Sequence, residues 1–313
     1  MRVFITGISG FVGSGLVSYF LREPEIVIFG HSRNPGRVEK SKDSRITMVP
    51  DYSARVFDEL GIDYVIHLAG IAHDVSNRYT TDDYDKVNCL GTVTAFDCFV
   101  KSKATKFIFL SSIKASVDSS DFPVTEEVEP APLSDYGRSK LKAERYLIQT
   151  SLASTKLVYV LRPVLIYGEG IKGNLKALHQ YVKSGLPYFF GAYGNHRSLL
   201  SAENLHFVVL CFLKNNYASG TYHVSDDDPI STNDLIRIIS KSLGRSPRIW
   251  KIPKWIIDPL STGASFIGIP LVRLKKKLTE NLVVSNAKLK SVMRESLPVN
   301  DQTDLLNTFN SFK

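Results

Sequence analysis

Cysteine is scarce in this sequence, which has three in 313 residues. Cys89, Cys98 and Cys211 lie far apart in otherwise apolar, helix-like segments, without the close spacing of a metal site or a disulfide framework. We therefore predict buried, reduced thiols, with neither a bound metal ion nor a structural disulfide.

The sequence also lacks a long hydrophobic run free of helix breakers. Its longest apolar stretch, 255–272, contains Asp258, two prolines and two glycines, which argues against a membrane-spanning helix. The first residues lead directly into a predicted strand, so that no room remains for a secretory leader. We expect a cytoplasmic protein.

Basic residues outnumber acidic residues by 39 to 31, and the formal net charge is +8. A solvated basic surface explains the net positive charge. The alternative explanations are attraction to phosphorylated ligands and attraction to an anionic membrane surface. The densest basic run, 273–277, follows the apolar stretch, and together they have the composition of an amphipathic surface segment. We favour the solvated surface over membrane contact and expect no nucleic-acid partner.

Short apolar runs alternate with helix-like segments through the first half of the chain. Near-continuous apolar strands separated by helices indicate a parallel sheet covered on both faces. The pattern therefore predicts an α/β fold with a Rossmann-type, doubly wound sheet. The predicted strands are 3–5, 26–29, 47–49, 64–68, 107–110 and 157–161, and the predicted helices are 11–21, 53–60, 82–102 and 136–150.

Beyond Pro163 the pattern becomes irregular and rich in glycine, which is typical of loops that close over a ligand. We predict a dinucleotide-binding domain at 1–166, to which the chain returns at about 197–216 through a helix. The segments 167–196 and 217–313, including an apolar run at 221–224, are predicted to form a smaller, interlocked substrate lobe.

The first predicted strand ends in a glycine-rich turn that opens a helix. Gly7 allows a sharp turn, Gly10 allows the backbone to approach a pyrophosphate, and Gly13 allows the helix to pack closely on the strand. The backbone N–H groups at the helix start, among them those of Phe11 and Val12, would then hold the phosphates. The motif predicts a dinucleotide cofactor.

The end of the second strand lacks the Asp or Glu that usually binds the ribose 2′-hydroxyl of NAD. The chain carries Ser32 and Arg33 there, with Arg37 nearby. A hydroxyl and guanidinium groups are suited to a 2′-phosphate. We predict a preference for NADP(H), with NAD(H) as the alternative.

Further cofactor contacts are predicted after the third and fourth strands, because the carboxyl ends of parallel strands meet at one edge of the sheet. These residues would flank the adenine and the adjoining ribose. They are Asp51, Tyr52, Leu68, Ala69 and Gly70.

Tyr136 and Lys140 are four residues apart on a predicted helix and therefore share one face. The Lys140 ammonium would lower the pKa of the Tyr136 phenol and hold the nicotinamide ribose. Ser112 follows the fifth strand, where it can hydrogen-bond a reacting oxygen, whereas Ser111 would point to the opposite side. We predict that Ser112, Tyr136 and Lys140 are the catalytic residues of a nicotinamide-dependent enzyme acting on a carbinol or carbonyl.

Five motifs span nearly the whole chain: Gly7-x-x-Gly10-x-x-Gly13, His67-Leu-Ala-Gly70, Phe109-Leu-Ser-Ser112, Tyr136-Gly-Arg-Ser-Lys140 and Arg162-Pro-Val-Leu-Ile-Tyr167-Gly168. Through them the chain resembles the extended short-chain dehydrogenase/reductases of the NAD-dependent epimerase/dehydratase group. The resemblance implies a UDP-sugar substrate and a homodimer that pairs the helices 82–102 and 136–150. It also implies that Asn174, Leu175 and Arg197 hold the UDP, and a guanidinium is in itself a good partner for a diphosphate.

Within that group the chain is similar to UDP-galactose 4-epimerases and to bacterial reductases of UDP-4-keto-6-deoxy-N-acetylhexosamines. Epimerases of this type usually carry an acidic group at the second strand and read Ser-x-x-x-Tyr-Gly where this chain has Ser116 and Val117. We therefore predict an NADPH-dependent 4-reductase in the biosynthesis of surface polysaccharide sugars. A 4-epimerase with bound NAD is the first alternative, and a non-catalytic NADP(H)-sensing regulator is the second.

Overall fold

The structure is a computed structural model. It describes residues 1–33, 43–72, 78–171, 173–259, 271–300 and 302–312. Arg37, which was considered for the 2′-phosphate, lies outside the described residues, as does most of the apolar stretch 255–272.

Strands in the described ranges form one large sheet and two small ones. They are β1 (Arg2–Thr6), β2 (Val27–His31), β3 (Ile46–Met48), β4 (Tyr64–His67), β5 (Lys106–Leu110), β6 (Ser120–Val124), β7 (Leu157–Pro163), β8 (Leu165–Tyr167), β9 (Leu199–Ser201), β10 (Gly220–Val224) and β11 (Leu282–Val284). The large sheet has seven strands in the order β10-β7-β5-β4-β1-β2-β3, and all its neighbours are parallel.

Helices cover both faces of this sheet and build the smaller lobe. They are α1 (Phe11–Phe20), α2 (Ala54–Glu59), α3 (Thr81–Tyr84), α4 (Gly91–Lys101), α5 (Asp135–Gln149), α6 (Asn174–Lys183), α7 (Ala202–Lys214), α8 (Thr232–Ser242), α9 (Leu271–Thr279), α10 (Ala287–Met293) and α11 (Thr303–Asn310). A π-helical segment, Asp85–Leu90, joins α3 to α4. Of the helices in the described ranges, none combines the length and the apolar character needed to cross a bilayer.

The strand order reverses between β1 and β4, and this reversal positions the candidate site. Chain connections leave β1 towards β2 on one side, while β4 pairs with β1 on the other. Thr6, the last residue of β1, is opposite His31 of β2 and His67 of β4. In open α/β sheets, ligands bind in the crevice outside the carboxyl ends of the strands at such a reversal.

The predicted doubly wound sheet is confirmed, and all six predicted strands belong to it. The prediction was wrong for the run at 221–224, which was assigned to the smaller lobe. This run is β10, which pairs with β7 along its whole length. Tyr222 and Val224 are fully buried there, in one core with Phe212 of α7 and Leu289 of α10; the rings of Tyr222 and Phe212 are 5.1 Å apart.

The smaller lobe has its own hydrophobic core, built on α6, α8 and α11. The prediction of irregular loops after Pro163 missed α6, in which Leu175, Leu178 and Val182 recur at helical spacing. Strands β6 and β11, which are distant in sequence, pair with each other, and so do β8 and β9. These pairings interlock the two lobes. The remaining domain boundaries stay a prediction.

Burial was predicted for all three cysteines. Cys211 is buried, and this burial raises the pKa of its thiol to about 12. The prediction was wrong for Cys89 and Cys98, which are half-buried, because each occupies the flank of a helix rather than the face that packs on the sheet.

Candidate active site

The turn after β1 is closed so tightly that only glycine fits at two of its positions. Gly7 has a φ of 70°, in the left-handed region, and a Cβ there would lie 2.7 Å from the backbone nitrogen of Ala69. A Cβ on Gly13 would lie 2.5 Å from the carbonyl oxygen of Gly7. The glycine loop is thus pressed against both the end of β4 and the start of α1.

The start of α1 fits the pyrophosphate of a dinucleotide. Gly10 is the N-cap residue in an extended conformation, and it provides no side-chain cap to the first turn. The backbone N–H groups of Phe11, Val12 and Gly13 belong to that turn, where a helix lacks internal acceptors. Such N–H groups, together with the positive end of the helix dipole, favour a bound phosphate.

The end of β2 is tied to the glycine loop by a hydrogen bond of 2.5 Å between the hydroxyls of Ser32 and Ser9. Arg33, the next residue, is exposed. The two residues predicted to contact the cofactor after β3 have different surroundings. Asp51 is exposed, and its carboxylate accepts from the Tyr52 amide. The ring of Tyr52 packs against that of His31, with the ring centres 5.0 Å apart. The glycine loop is thus bonded to the end of β2 twice, through Ser32 and through the Gly7 amide, which donates to the His31 carbonyl at 2.9 Å.

The end of β4 carries a polar cluster beneath the predicted nicotinamide side. His67 is buried and shares a hydrogen bond of 2.8 Å with the Thr6 hydroxyl; burial lowers its pKa to about 3, so it is neutral. A Cβ on Gly70 would lie 2.9 Å from Asn88 Oδ1 and 3.3 Å from Lys140 Nζ. Gly70 is therefore the point where the segment after β4 meets α5.

The three predicted catalytic residues converge at the carboxyl edge of β5. Ser112 caps a short 3₁₀ turn, where its hydroxyl accepts from the Lys114 amide, and it lies near enough to Tyr136 to lower the pKa of that phenol. The Nζ atom of Lys140 donates to the carbonyl oxygen of Leu110 at 3.0 Å and lies 4.7 Å from the centre of the Phe109 ring. Helix α5 thus directs both its tyrosine and its lysine at the end of the strand that supplies the serine.

The predicted lowering of the Tyr136 pKa is wrong for this structure. Burial raises the pKa of Tyr136 to about 12, and only the hydrogen bond from Ser112 opposes that rise. Burial also lowers the pKa of Lys140 to about 8. Desolvation dominates both groups because each leaves water without an adjacent carboxylate in contact, and Tyr136 is consequently a protonated phenol at neutral pH.

Sequence reasoning missed a buried ion pair behind the serines. Arg162 of β7 donates to both carboxylate oxygens of Glu144 in α5, at 3.1 Å from Nε and 2.6 Å from Nη2. Ser111 also donates to Glu144, and so it does point away from Ser112. The pair fixes α5 against the sheet next to Ser111 and Ser112.

Asn88 was also missed. It is fully buried in the π-helical segment, where its side chain bonds both backbone groups of Ile71 and the hydroxyl of Ser139. It therefore joins the loop after β4 to α5. A buried amide on an apolar helix face was the available signal, together with the glycine that follows three residues later.

The residues implied for UDP lie in the smaller lobe, and they differ in accessibility. Asn174, the first residue of α6, is exposed. Leu175 is 2% exposed and its side chain packs in the lobe core, so a contact with the UDP would come from its backbone, and its role stays a prediction. The Nε atom of Arg197 donates to the carbonyl oxygen of Glu280 at 3.0 Å, and partial burial lowers its pKa.

The pKa of Lys140 predicts a pH effect on cofactor affinity. Below pH 8 its ammonium can donate to ribose hydroxyls; above that pH the charge is lost. We expect the dissociation constant of the reduced dinucleotide, measured by fluorescence titration, to be constant below this pH and to increase above it. Lys140→Met should bind more weakly with no inflection, and an inflection that persists in this variant would refute the assignment.

A family profile described as the NAD dependent epimerase/dehydratase family matches residues 3–225. A UDP-glucose 4-epimerase of Vibrio cholerae is 31% identical over 262 residues, which cover 81% of this chain and 79% of that protein. A GDP-6-deoxy-D-mannose reductase of Pseudomonas aeruginosa is 26% identical over 250 residues, covering 76% of this chain and 79% of that protein.

The fold also matches solved structures. A crystal structure of UDP-glucuronic acid 4-epimerase from Bacillus cereus in complex with NAD superposes with a TM-score of 0.78. It covers 100% of this chain and 98% of that one at 18% identity. This likeness establishes a common fold across both lobes.

Proposed function

This chain belongs to the NAD-dependent epimerase/dehydratase family, and from that membership we propose that it transfers hydride at C4 of a nucleotide-linked sugar. It is an enzyme of the kind formed by the NAD(P)-dependent nucleotide-sugar epimerases and reductases. A nicotinamide dinucleotide, when bound, supplies or accepts the hydride. The side chains and backbone of the protein bind the ligands and move the proton.

We assign the roles as follows. The start of α1 holds the pyrophosphate, and Lys140 holds the nicotinamide ribose. Tyr136 exchanges a proton with the C4 oxygen of the sugar, and Ser112 donates a hydrogen bond to that oxygen as charge develops on it. In the smaller lobe, Arg197 and the exposed start of α6 at Asn174 bind the nucleotide diphosphate.

We further propose that the physiological reaction is the NADPH-dependent reduction of a UDP-4-keto-6-deoxy-N-acetylhexosamine. The residues at the end of β2 carry this proposal: His31-Ser32-Arg33 holds no carboxylate for the ribose 2′-hydroxyl of NAD, and a guanidinium suits the 2′-phosphate of NADPH. Reduction of the ketone also needs a proton for the C4 alkoxide, and Tyr136, a phenol at neutral pH, can donate it.

A 4-epimerase with bound NAD is the second candidate. The identity to the Vibrio cholerae UDP-glucose 4-epimerase over four-fifths of the chain favours it. A non-catalytic NADP(H) sensor has less support, because Ser112 and Lys140 both reach the edge of β5 beside Tyr136, and binding alone does not require such a constellation.

The consumption of reduced nicotinamide per sugar converted distinguishes the two candidates. We expect one NADPH to be oxidised for each UDP-4-keto-6-deoxy-N-acetylglucosamine converted by the purified protein, and no interconversion of UDP-N-acetylglucosamine with its 4-epimer. Interconversion of the latter without net change in nicotinamide would establish the epimerase instead.

Replacing Arg33 with aspartate tests the choice of cofactor. The exposed guanidinium would pair with the 2′-phosphate, and charge-assisted bonds of this kind change Kd by about 10- to 100-fold. We expect Arg33→Asp to weaken NADPH binding by that amount and NADH binding much less. Arg55→Asp, on the exposed face of α2, makes the same change in charge and should leave both affinities unchanged. Equal weakening of NADPH and NADH by Arg33→Asp would contradict the assignment.

We also propose a cytoplasmic homodimer that pairs α4 and α5 with their copies. Exposed apolar side chains on the helices of this face support the pairing: Leu90 is 57%, Tyr146 is 37% and Ile148 is 60% exposed. We expect the wild type to sediment as a dimer and the Ile148→Glu variant to sediment as a monomer in analytical ultracentrifugation.

A further inference from the structure

A surface of the smaller lobe displays aromatic rings that the active site does not use. Two segments, 186–191 and 245–255, lie side by side; the amide of Tyr188 donates to the carbonyl of Arg248 and the amide of Trp250 to that of Tyr188, each at 2.8 Å. Because side chains alternate along such paired backbones, Tyr188 is buried while Phe189 is 39% exposed. The ring of Phe189 lies 5.5 Å from that of Trp250, which is 55% exposed.

The two segments carry further exposed apolar side chains. Leu186 is 56% exposed, and Trp255, which ends the second segment, is 76% exposed. Single exposed apolar residues are ordinary, but a group of them marks an interaction site. Both tryptophans of the chain belong to the second segment, and we call the exposed side chains of the two segments the aromatic-basic surface. Tryptophan is the residue type enriched where proteins meet the headgroup region of a bilayer.

The sequence of this surface is predominantly basic. The range from Leu235 to Ile257 contains six basic residues and no Asp or Glu, and the range 170–202, which includes the first segment, also has no acidic residue. Arg237 pairs with Asp234 just before this range, and Asp258, just beyond it, pairs with Lys275 at 2.7 Å. The other basic residues of the range are Lys241, Arg245, Arg248, Lys251 and Lys254. Such a surface is complementary to an anionic leaflet, where each basic side chain adds to the attraction.

A cavity of about 320 Å³ opens at the edge of the aromatic-basic surface, between the ends of α6 and α8. Its apolar lining includes Tyr188, Leu186 and Ile236. Arg245 and Arg248 stand at its rim, held by hydrogen bonds to the carbonyl oxygens of residues 183 and 185 at 2.8 and 2.9 Å. An apolar floor below two fixed guanidiniums is suited to a lipid phosphate and the first carbons attached to it.

We propose that the aromatic-basic surface docks this protein peripherally on an anionic lipid bilayer. Trp250, Trp255 and Phe189 would enter the headgroup region, while Lys251 and Lys254 would meet the surface charge and the rim arginines would bind lipid phosphates. Apolar and electrostatic contributions act together, as stable peripheral binding requires. The inference does not depend on which sugar the enzyme converts.

Tryptophan fluorescence tests this docking directly, because both tryptophans lie on the proposed surface. We expect vesicles of phosphatidylglycerol and phosphatidylcholine to shift the tryptophan emission of the full-length protein to shorter wavelength. We also expect the protein to sediment together with these vesicles. Vesicles of phosphatidylcholine alone should do neither, and added salt should reverse the binding. Failure of the anionic vesicles to shift the emission or to sediment the protein would overturn the proposal.

Matched variants distinguish vesicle binding through this surface from binding through net charge or through nonspecific apolar contact. Lys251→Glu/Lys254→Glu should lower the partition coefficient about tenfold or more. Lys101→Glu/Lys103→Glu makes the same change in net charge at exposed positions before β5 and should bind like the wild type. Phe189→Ser/Leu186→Ser should weaken binding, whereas Phe122→Ser/Leu133→Ser, at positions 78% and 72% exposed, should not. Equal losses in the control variants would overturn the proposal, and unchanged dinucleotide affinity verifies that each variant is folded.

Discussion

Tyr136→Phe is expected to reduce kcat by about 10²- to 10⁴-fold, the range that a positioned proton donor contributes. The variant loses one oxygen atom and with it the proton for the sugar oxygen. The phenyl ring still fills the same volume beside Tyr84, whose ring centre is 6.4 Å away. Kd values for the dinucleotide and the UDP-sugar should therefore change little, and single-turnover kinetics should locate the loss in the chemical step.

The matched control is Tyr146→Phe on the same helix. Its hydroxyl bonds Asp97 at 2.8 Å on the exposed face of α5, away from the end of β5. It should retain wild-type kcat. If Tyr136→Phe turned over at the wild-type rate, Tyr136 would not be the proton donor, and the proposed catalytic site would be wrong.

Arg162→Met is expected to destabilise the fold by about 3 to 5 kcal/mol, because it leaves a carboxylate buried without its partner. The side chain of Glu144 is 1% exposed and that of Arg162 is 5% exposed, so no water can replace the guanidinium. The free energy of unfolding, measured by urea denaturation, should show this loss with an unchanged m value.

Two further variants define the origin of that loss. Arg22→Met removes a surface ion pair with Glu203, 2.8 Å long, and should cost about 0 to 1 kcal/mol. Glu144→Leu/Arg162→Met removes both charges of the buried pair and should recover much of the stability lost by Arg162→Met alone. A double variant as unstable as the single one would show that packing, and not the unpaired charge, is the cause.

Much of the fold follows from the local sequence. A short, continuous apolar run such as 64–68 predicts a strand that is buried on both faces of a sheet. The spacing of Gly7, Gly10 and Gly13 at a strand-to-helix turn predicts a dinucleotide-binding loop. The position of Ser112 after β5 and the shared face of Tyr136 and Lys140 could also be predicted, since each depends on residues close in sequence. Their catalytic roles stay a proposal.

What could not be predicted depends on contacts distant in sequence. The pairing of β10 with β7 joins residues about 60 positions apart, and nothing within 221–224 indicates which sheet it enters. Glu144 reads as an ordinary helix carboxylate until Arg162 is placed beside it. The pKa of Tyr136 was predicted in the wrong direction because the spacing reveals its neighbour Lys140 but not its burial, which is the larger effect.

The transfer of deuterium from reduced nicotinamide to the sugar tests the central claim most directly. The wild-type protein would be supplied with the UDP-4-keto sugar and NADPH carrying deuterium at the reactive carbon, and the product analysed by mass spectrometry and NMR. We predict one deuterium, bound at C4, in each product molecule, and negligible product from Tyr136→Phe in the same time. A reduced sugar without deuterium at C4, or no reduction although both ligands bind, would contradict hydride transfer from NADPH to C4 at this site.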